Sequence, residues 1–184
     1  MKYDWTQSGL SSHEAVKLTP LVEELAQACP KGFLLPLDED GDLVRIAPEK
    51  SVWVVRDTIS FFPNPGPFTE TRCIILGYQY RDASNYKQYR EVRFRGSLNP
   101  VDIAILATAL NAGDDDTFIP SQIGLEDLQP EWTDDDHVWH TVEEISLAES
   151  TEGDRDIAEL LKAARKICAA GSYDMMAAME SRGF

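Results

Sequence analysis

Residues 72–95 read RCIILGYQYRDASNYKQYREVRFR, two β-compatible runs separated by a turn. Cys73, Ile74, Ile75 and Leu76 form a continuous apolar run, which predicts a central strand continuing through Tyr78 and Tyr80. Asp82 to Asn85 supplies turn residues. From about Gln88 to Arg95 the chain alternates, with Arg90, Val92 and Phe94 on one side and Tyr89, Glu91, Arg93 and Arg95 on the other. An antiparallel pair of this kind sets the expected class. The chain should be α+β, a mainly antiparallel sheet with helices packed on one face and a C-terminal helical pair.

Downstream, Asn99-Pro100 starts a helix that is apolar nearly all round (Val101, Ile103, Ile105, Leu106, Leu110) and so belongs against the sheet, with Gly113 as its stop. A short run at Phe118-Ile119-Pro120 leads into an irregular section to Trp132. From His137 to Ile145 the residues alternate as in a strand, Val138, His140 and Val142 against His137, Trp139 and Thr141. From Asp154 a helix is marked by Ile157, Leu160, Leu161, Ala164 and Cys168, with acids in its first turn and Lys162, Arg165 and Lys166 in its last. Ala170-Gly171-Ser172 breaks it before a short helix bearing Tyr173, Met175, Met176 and Met179.

Upstream, Ser11-Ser12-His13-Glu14 has capping-box form, and the spacing of Leu21, Val22, Leu25 and Cys29 predicts a helix over about 12–29, kinked or restarted at Pro20. Strands are expected at Phe33–Leu37 and Leu43–Ile46, joined by an Asp-Gly turn, then at Val52–Val55 and Thr58–Phe62. Pro63-Asn64-Pro65-Gly66-Pro67 fits neither helix nor interior strand. It suggests a lobe over residues 1–62 and a main domain over 70–184, an arrangement one continuous domain would also satisfy.

The 184 residues carry a net charge of −15, with 43% hydrophobic content and no apolar run near the ~20 residues of a membrane span. The N-terminus lacks the charged and apolar regions of a signal peptide. Three cysteines, Cys29, Cys73 and Cys168, form no C-x-x-C pair and read as reduced core thiols of a cytoplasmic protein.

The charge is lopsided. Asp102 to Glu159 holds seventeen acids against one base, Arg155, whereas Arg72 to Arg95 holds six bases and two acids. The carboxylates come in knots, at Asp114-Asp115-Asp116, Glu126-Asp127, Glu131, Asp134-Asp135-Asp136 and Glu143-Glu144, with apolar anchors such as Trp132 and Trp139 between them. That interleaving argues for a folded anionic surface rather than a disordered acidic tail.

Other chemistries fit less well. Asp134, Asp136, His137 and His140 have the residue types of a metal-dependent enzyme, but a strand would send the two imidazoles to opposite faces. Asp38, Asp40, Asp42 and Glu49 match a calcium loop except that Leu43 stands where glycine is required. A catalytic triad of Cys73 or Cys168 with His13, His137 or His140 has no supporting spacing. Arg90, Arg93 and Arg95 with Tyr78, Tyr80, Tyr86 and Tyr89 have the composition of a single-stranded nucleic-acid platform, yet the acidic molecule as a whole would repel phosphates. No nucleotide-loop or nucleophile-elbow motif occurs.

The expectation is therefore a non-enzymatic, cofactor-free binding protein whose partner is a basic nucleic-acid-binding protein. Neither nucleic acid nor membrane would be bound directly, and a homodimer is compatible with this reading. The binding residues would be Asp114, Asp115, Asp116, Glu126, Asp127, Glu131, Trp132, Asp134, Asp135, Asp136, Glu143 and Glu144, placed where the partner expects phosphates. In composition the acidic half is similar to the DNA-mimic inhibitors that phages direct against bacterial defence, anti-CRISPR and anti-restriction proteins among them. That likeness covers Asp102–Glu159 only and matches no motif. A structural or toxin-neutralising partner that docks through Met175, Met176 and Met179 is the other alternative.

Overall fold

The computed structural model describes residues 3–7, 10–36, 43–47, 51–55, 68–129, 132–133, 136–148 and 150–183. Its strands and helices follow in the order β1 (Asp4–Gln7), α1 (Ser12–Ala28), β2 (Phe33–Pro36), β3 (Leu43–Ile46), β4 (Ser51–Val55), β5 (Phe68–Arg81), β6 (Lys87–Leu98), α2 (Pro100–Leu110), β7 (Thr141–Ala148), β8 (Arg155–Asp156), α3 (Ile157–Ala170) and α4 (Met175–Glu180). Short 3₁₀ turns lie at Asp114–Asp116 and Pro120–Ile123. Two four-stranded sheets result, ordered β1-β4-β3-β2 and β7-β5-β6-β8. Pairing is antiparallel except for β1 on β4 and β8 on β6. The class is α+β with a C-terminal helix pair, as the hairpin at 72–95 implied.

Helix α2 is the element on which the others close. Asn99 caps it, its side chain accepting from Asp102 N at 2.9 Å while Asp102 accepts from Asn99 N at 3.4 Å, and Pro100 opens its first turn. Eight of its eleven residues are buried. It packs on β2, α1 and α3 and touches β6, which explains why its sequence has no polar stripe. Thr108 fastens it to β2 by accepting from Leu34 N at 2.9 Å. Arg165 of α3 donates to the buried Asp102 at 2.6 Å, the Cys168 thiol donates to Ile105 O at 3.5 Å, and Tyr173 OH donates to Ala109 O at 2.8 Å. One apolar cluster runs from Val22 and Leu25 of α1 through Phe33 to Leu35 and α2 to Leu76 and Phe94 of the second sheet.

Helix α1 has the expected reciprocal cap between Ser11 and Glu14 and runs through Pro20 without restarting. Four expectations need correcting. Helix α2 ends at Leu110, capped by Asn111, before Gly113 is reached. Strand β7 begins at Thr141 rather than His137, because His140 exchanges its backbone bonds with Phe118, at 2.9 Å each way, instead of with β5. Helix α3 continues to Ala170, so Lys162, Arg165 and Lys166 precede its last turn, which holds no base. Tyr78 and Tyr80 are 0% exposed and belong to the inner face of the sheet, not to an aromatic surface. The calcium-loop pattern at Asp38, Asp40, Asp42 and Glu49, the strand at Thr58–Phe62 and the boundary at Pro63–Pro67 lie outside the described residues. Among the described residues no helix is long and apolar enough to cross a membrane.

The reciprocal cap on α2 should be felt throughout the molecule. Asn99→Ala should lower unfolding stability by about 1 kcal/mol, and Asp102→Ala, which also strands Arg165, by about 2 kcal/mol, both read from urea midpoints at unchanged m-value.

Candidate functional site

The structure sorts the carboxylates into two groups. Several are held by the chain's own groups. Asp116 pairs with Arg45 of β3 at 3.4 Å, and Glu126 pairs with Arg90 of β6. Asp127 pairs with Arg182 at 2.5 Å, the two side chains being 19% and 14% exposed. Arg182 also lies 4.7 Å above the Trp132 ring. Asp136 accepts from Tyr80 OH, from Gln129 Nε2 at 2.9 Å and from Thr133 N at 2.6 Å. Burial alone would raise its carboxyl pKa, but the bonds from Tyr80, Thr133 and Gln129 outweigh it and hold the group below the ordinary value. Trp132 and Trp139 are half-buried and packed on the core. Trp139 meets Tyr173 edge-on at 6.2 Å, so the apolar anchors between the acidic knots turn toward the core.

The second group faces solvent, although Gln79 Nε2 donates to Glu143 and Tyr89 OH donates to Glu91 at 3.3 Å. Asp115 is exposed on the turn after α2, in the left-handed region at φ 54°. Glu143 and Glu144 stand side by side and exposed on β7, although neighbours on a strand ordinarily point to opposite faces. A bulge explains this. Glu144 is opposite Gly77 and Val142 is opposite Tyr78, so Glu143 is an extra residue in the ladder. Across Gly77 on the other side stands Glu91. Gly77 has no side chain because the Tyr89 ring occupies that space, and a Cβ there would collide with its hydroxyl end.

The outer sheet face thus presents Tyr89, 53% exposed, ringed by Glu91, Glu143 and Glu144. Partial burial, then the charge of Glu91 and the other two carboxylates, pushes the Tyr89 phenol above its ordinary pKa. Glu91 and Tyr89 were absent from the expected binding set. Their signal was the shared outward parity on β6, but the acids opposite them come from more than 50 residues away and no local pattern links the two. The side chain of Asp114, and Glu131, Asp134 and Asp135 entirely, lie outside the described residues.

The histidines serve the core. His140 is 1% exposed among the rings of Tyr78, Tyr80 and Phe118, at 6.0, 5.3 and 6.2 Å. Its Nε2 accepts from Leu128 N at 3.1 Å, and Nδ1 faces Val138 O at 3.2 Å, which places the proton on Nδ1. His137 lies 5.1 Å from the same Tyr80 ring, so the two imidazoles flank one tyrosine instead of diverging. Among the described residues no group of three His, Cys, Asp or Glu side chains could hold a metal ion. The three cysteines are free and buried. Contact with Cys29 and burial push the Cys168 thiol far up, away from nucleophilic use. Comparison with protein-family models, curated proteins and solved structures finds no match to the chain.

Burial lowers the His140 pKa to about 4. The unfolded imidazole binds its proton below about 6.5 while the folded one stays neutral until about 4, so stability should fall as pH drops through that window, by up to about 3 kcal/mol. Urea titrations at pH 7, 5.5 and 4.5 should show this loss, and the His140→Gln variant, less stable at pH 7, should lose less over the same range.

Proposed function

We propose that the protein is a non-enzymatic binding protein whose fixed carboxylates occupy the basic nucleic-acid-binding surface of a partner protein. The observation that supports this reading is how the bases are distributed. Arg45, Arg90, Arg155, Arg165 and Arg182 are each paired with a carboxylate of the chain, on Asp116, Glu126, Glu159, Asp102 and Asp127 respectively, of which Glu126 and Glu159 are exposed. Glu91, Glu143, Glu144 and Asp115 make no ion pair among the described residues. The net charge of −15 is carried on a surface where Arg93 and Arg95 are also exposed on the Glu91 side of β6.

Glu144 and Glu91 are separated by one intervening strand, so their Cα atoms lie about 10 Å apart. That is close to a Debye length of ~8 Å at physiological salt, and the three glutamates present one field to an approaching cation. Duplex DNA carries a charge every ~1.7 Å of its axis. Carboxylates on a bulged strand and its neighbours imitate such a surface without a base code, and Tyr89 at their centre supplies an amphipathic contact of the kind that dominates interfaces. Inhibition of bacterial defence by a phage-encoded DNA mimic, of anti-CRISPR or anti-restriction type, is one role this chemistry suits.

The structural-partner alternative retains one supporting observation. Met175 and Met176 are exposed on α4, while Met179 packs on the core.

The test is the triple variant E91Q/E143Q/E144Q. A basic DNA-binding protein captured from lysate on the immobilised wild type should bind the variant about tenfold or more weakly, since each exposed pair contributes up to about 1 kcal/mol. Duplex DNA should compete for the same partner. Unchanged affinity together with indifference to added duplex would overturn the reading.

A further inference from the structure

Cys29 and Cys168 are far apart in sequence and meet in the core. Cys29 is the C-cap of α1, its N–H donating to Leu25 O at 2.8 Å, and Cys168 lies in the last turn of α3. The two are 1% and 2% exposed and belong to one apolar cluster. The residues that follow them are also in contact, since the Lys31 stem packs on Gly171, where a Cβ would collide with it. Cys73 is as deeply buried, but on β5 of the second sheet.

A thiol has one proton to donate. That of Cys168 faces two acceptors, Ile105 O at 3.5 Å and the Cys29 sulfur. The bond from Cys168 lowers the Cys29 pKa against the effect of burial, and the Arg165 guanidinium lowers it further. Arg165 is itself fixed by Asp102 at 2.6 Å. The same bond, with burial, holds the proton on Cys168. The pair is therefore asymmetric, Cys29 being the sulfur that gives up its proton first. A structural cysteine in purely apolar surroundings has neither the cation nor the donor. Cys168 is also part of the wall of a cavity of about 580 Å³ between β2, β3 and the ends of α2 and α3. That cavity gives a small oxidant a route toward the pair that a fully packed core would deny.

We propose that Cys29 and Cys168 form a peroxide-reactive dithiol, in which Cys29 attacks and Cys168 resolves. The Cys29 thiolate attacks one oxygen of hydrogen peroxide. An S–O bond forms, the O–O bond breaks, and the departing hydroxide leaves as water with the proton that Cys29 gave up. Cys29 is then a neutral sulfenic acid, so the charge that held the Cys168 proton in place is gone. The Cys168 sulfur attacks that of Cys29. An S–S bond forms, the S–O bond breaks, and hydroxide leaves with the Cys168 proton as a second water. Two thiols are oxidised to one disulfide and one peroxide is reduced to two waters. The product ties α1 to α3, both of which pack on α2. None of this depends on the glutamates of the outer sheet face, so the proposal and the binding reading can fail separately.

The test is to expose the full chain to hydrogen peroxide under native conditions, block the remaining thiols, and map the cysteines by mass spectrometry. A Cys29–Cys168 disulfide should form while Cys73 stays a thiol. The oxidised protein should melt roughly 10 °C higher than the reduced one, because the bond closes most of the chain into one loop, and dithiothreitol should reverse the shift. Cys168→Ser should stop at the sulfenic acid, with dimedone adding to Cys29. Cys29 and Cys168 remaining thiols, or all three cysteines oxidising at one rate as in the urea-unfolded chain, would overturn the proposal. So would a dimedone adduct on Cys73 instead of Cys29 in the Cys168→Ser variant.

Discussion

The burial of α2 on every side is the constraint from which the rest of the architecture follows. An apolar helix of eleven residues has no face to offer water, so β2, α1 and α3 must all close on it. Closure also places a charged residue, Asp102, at a buried helix start. The Asn99 cap and the Arg165 guanidinium resolve that conflict together. The same closure brings the ends of α2 and α3 to one cavity, where Asn111 keeps an acceptor without a donor.

The acidic half follows a similar logic of internal commitment. Carboxylates that fold inward find arginines contributed by distant elements, Arg45 from the first sheet and Arg182 from beyond α4. Such pairs fix the loops between α2 and β7 without relieving the overall charge. The carboxylates left outward sit on hydrogen-bonded strand, where the bulge opposite Gly77 holds Glu143 and Glu144 on the same side. Rigid placement matters for recognition because ordering flexible charged side chains at the moment of binding would consume affinity.

Periodicity made much of this fold legible. The alternation at Gln88–Arg95 assigns inward and outward positions on β6 correctly, and Ser11-Ser12-His13-Glu14 marks the start of α1. The all-apolar run at 101–110 identifies the buried helix. What periodicity lacks is knowledge of which face is covered, so Tyr78 and Tyr80 read as surface aromatics when they are core. Nor does it register an extra residue in a ladder. The alternation at His137–Ile145 reflects real burial at Val138, His140 and Val142, but the backbone there bonds to Phe118 before β7 begins. Pairings such as Asp116 with Arg45, or Glu126 with Arg90, depend on tertiary closure and leave no trace in local spacing.

The central claim is that a cationic partner docks on the carboxylate-ringed outer face of the second sheet. Hydrogen exchange of the protein, measured alone and saturated with the basic protein it captures, addresses that claim most directly. The account predicts slowed exchange on β7 around Glu143 and Glu144 and on β6 around Tyr89 and Glu91. Protection confined to α4 around Met175 and Met176, with β6 and β7 unchanged, would contradict it.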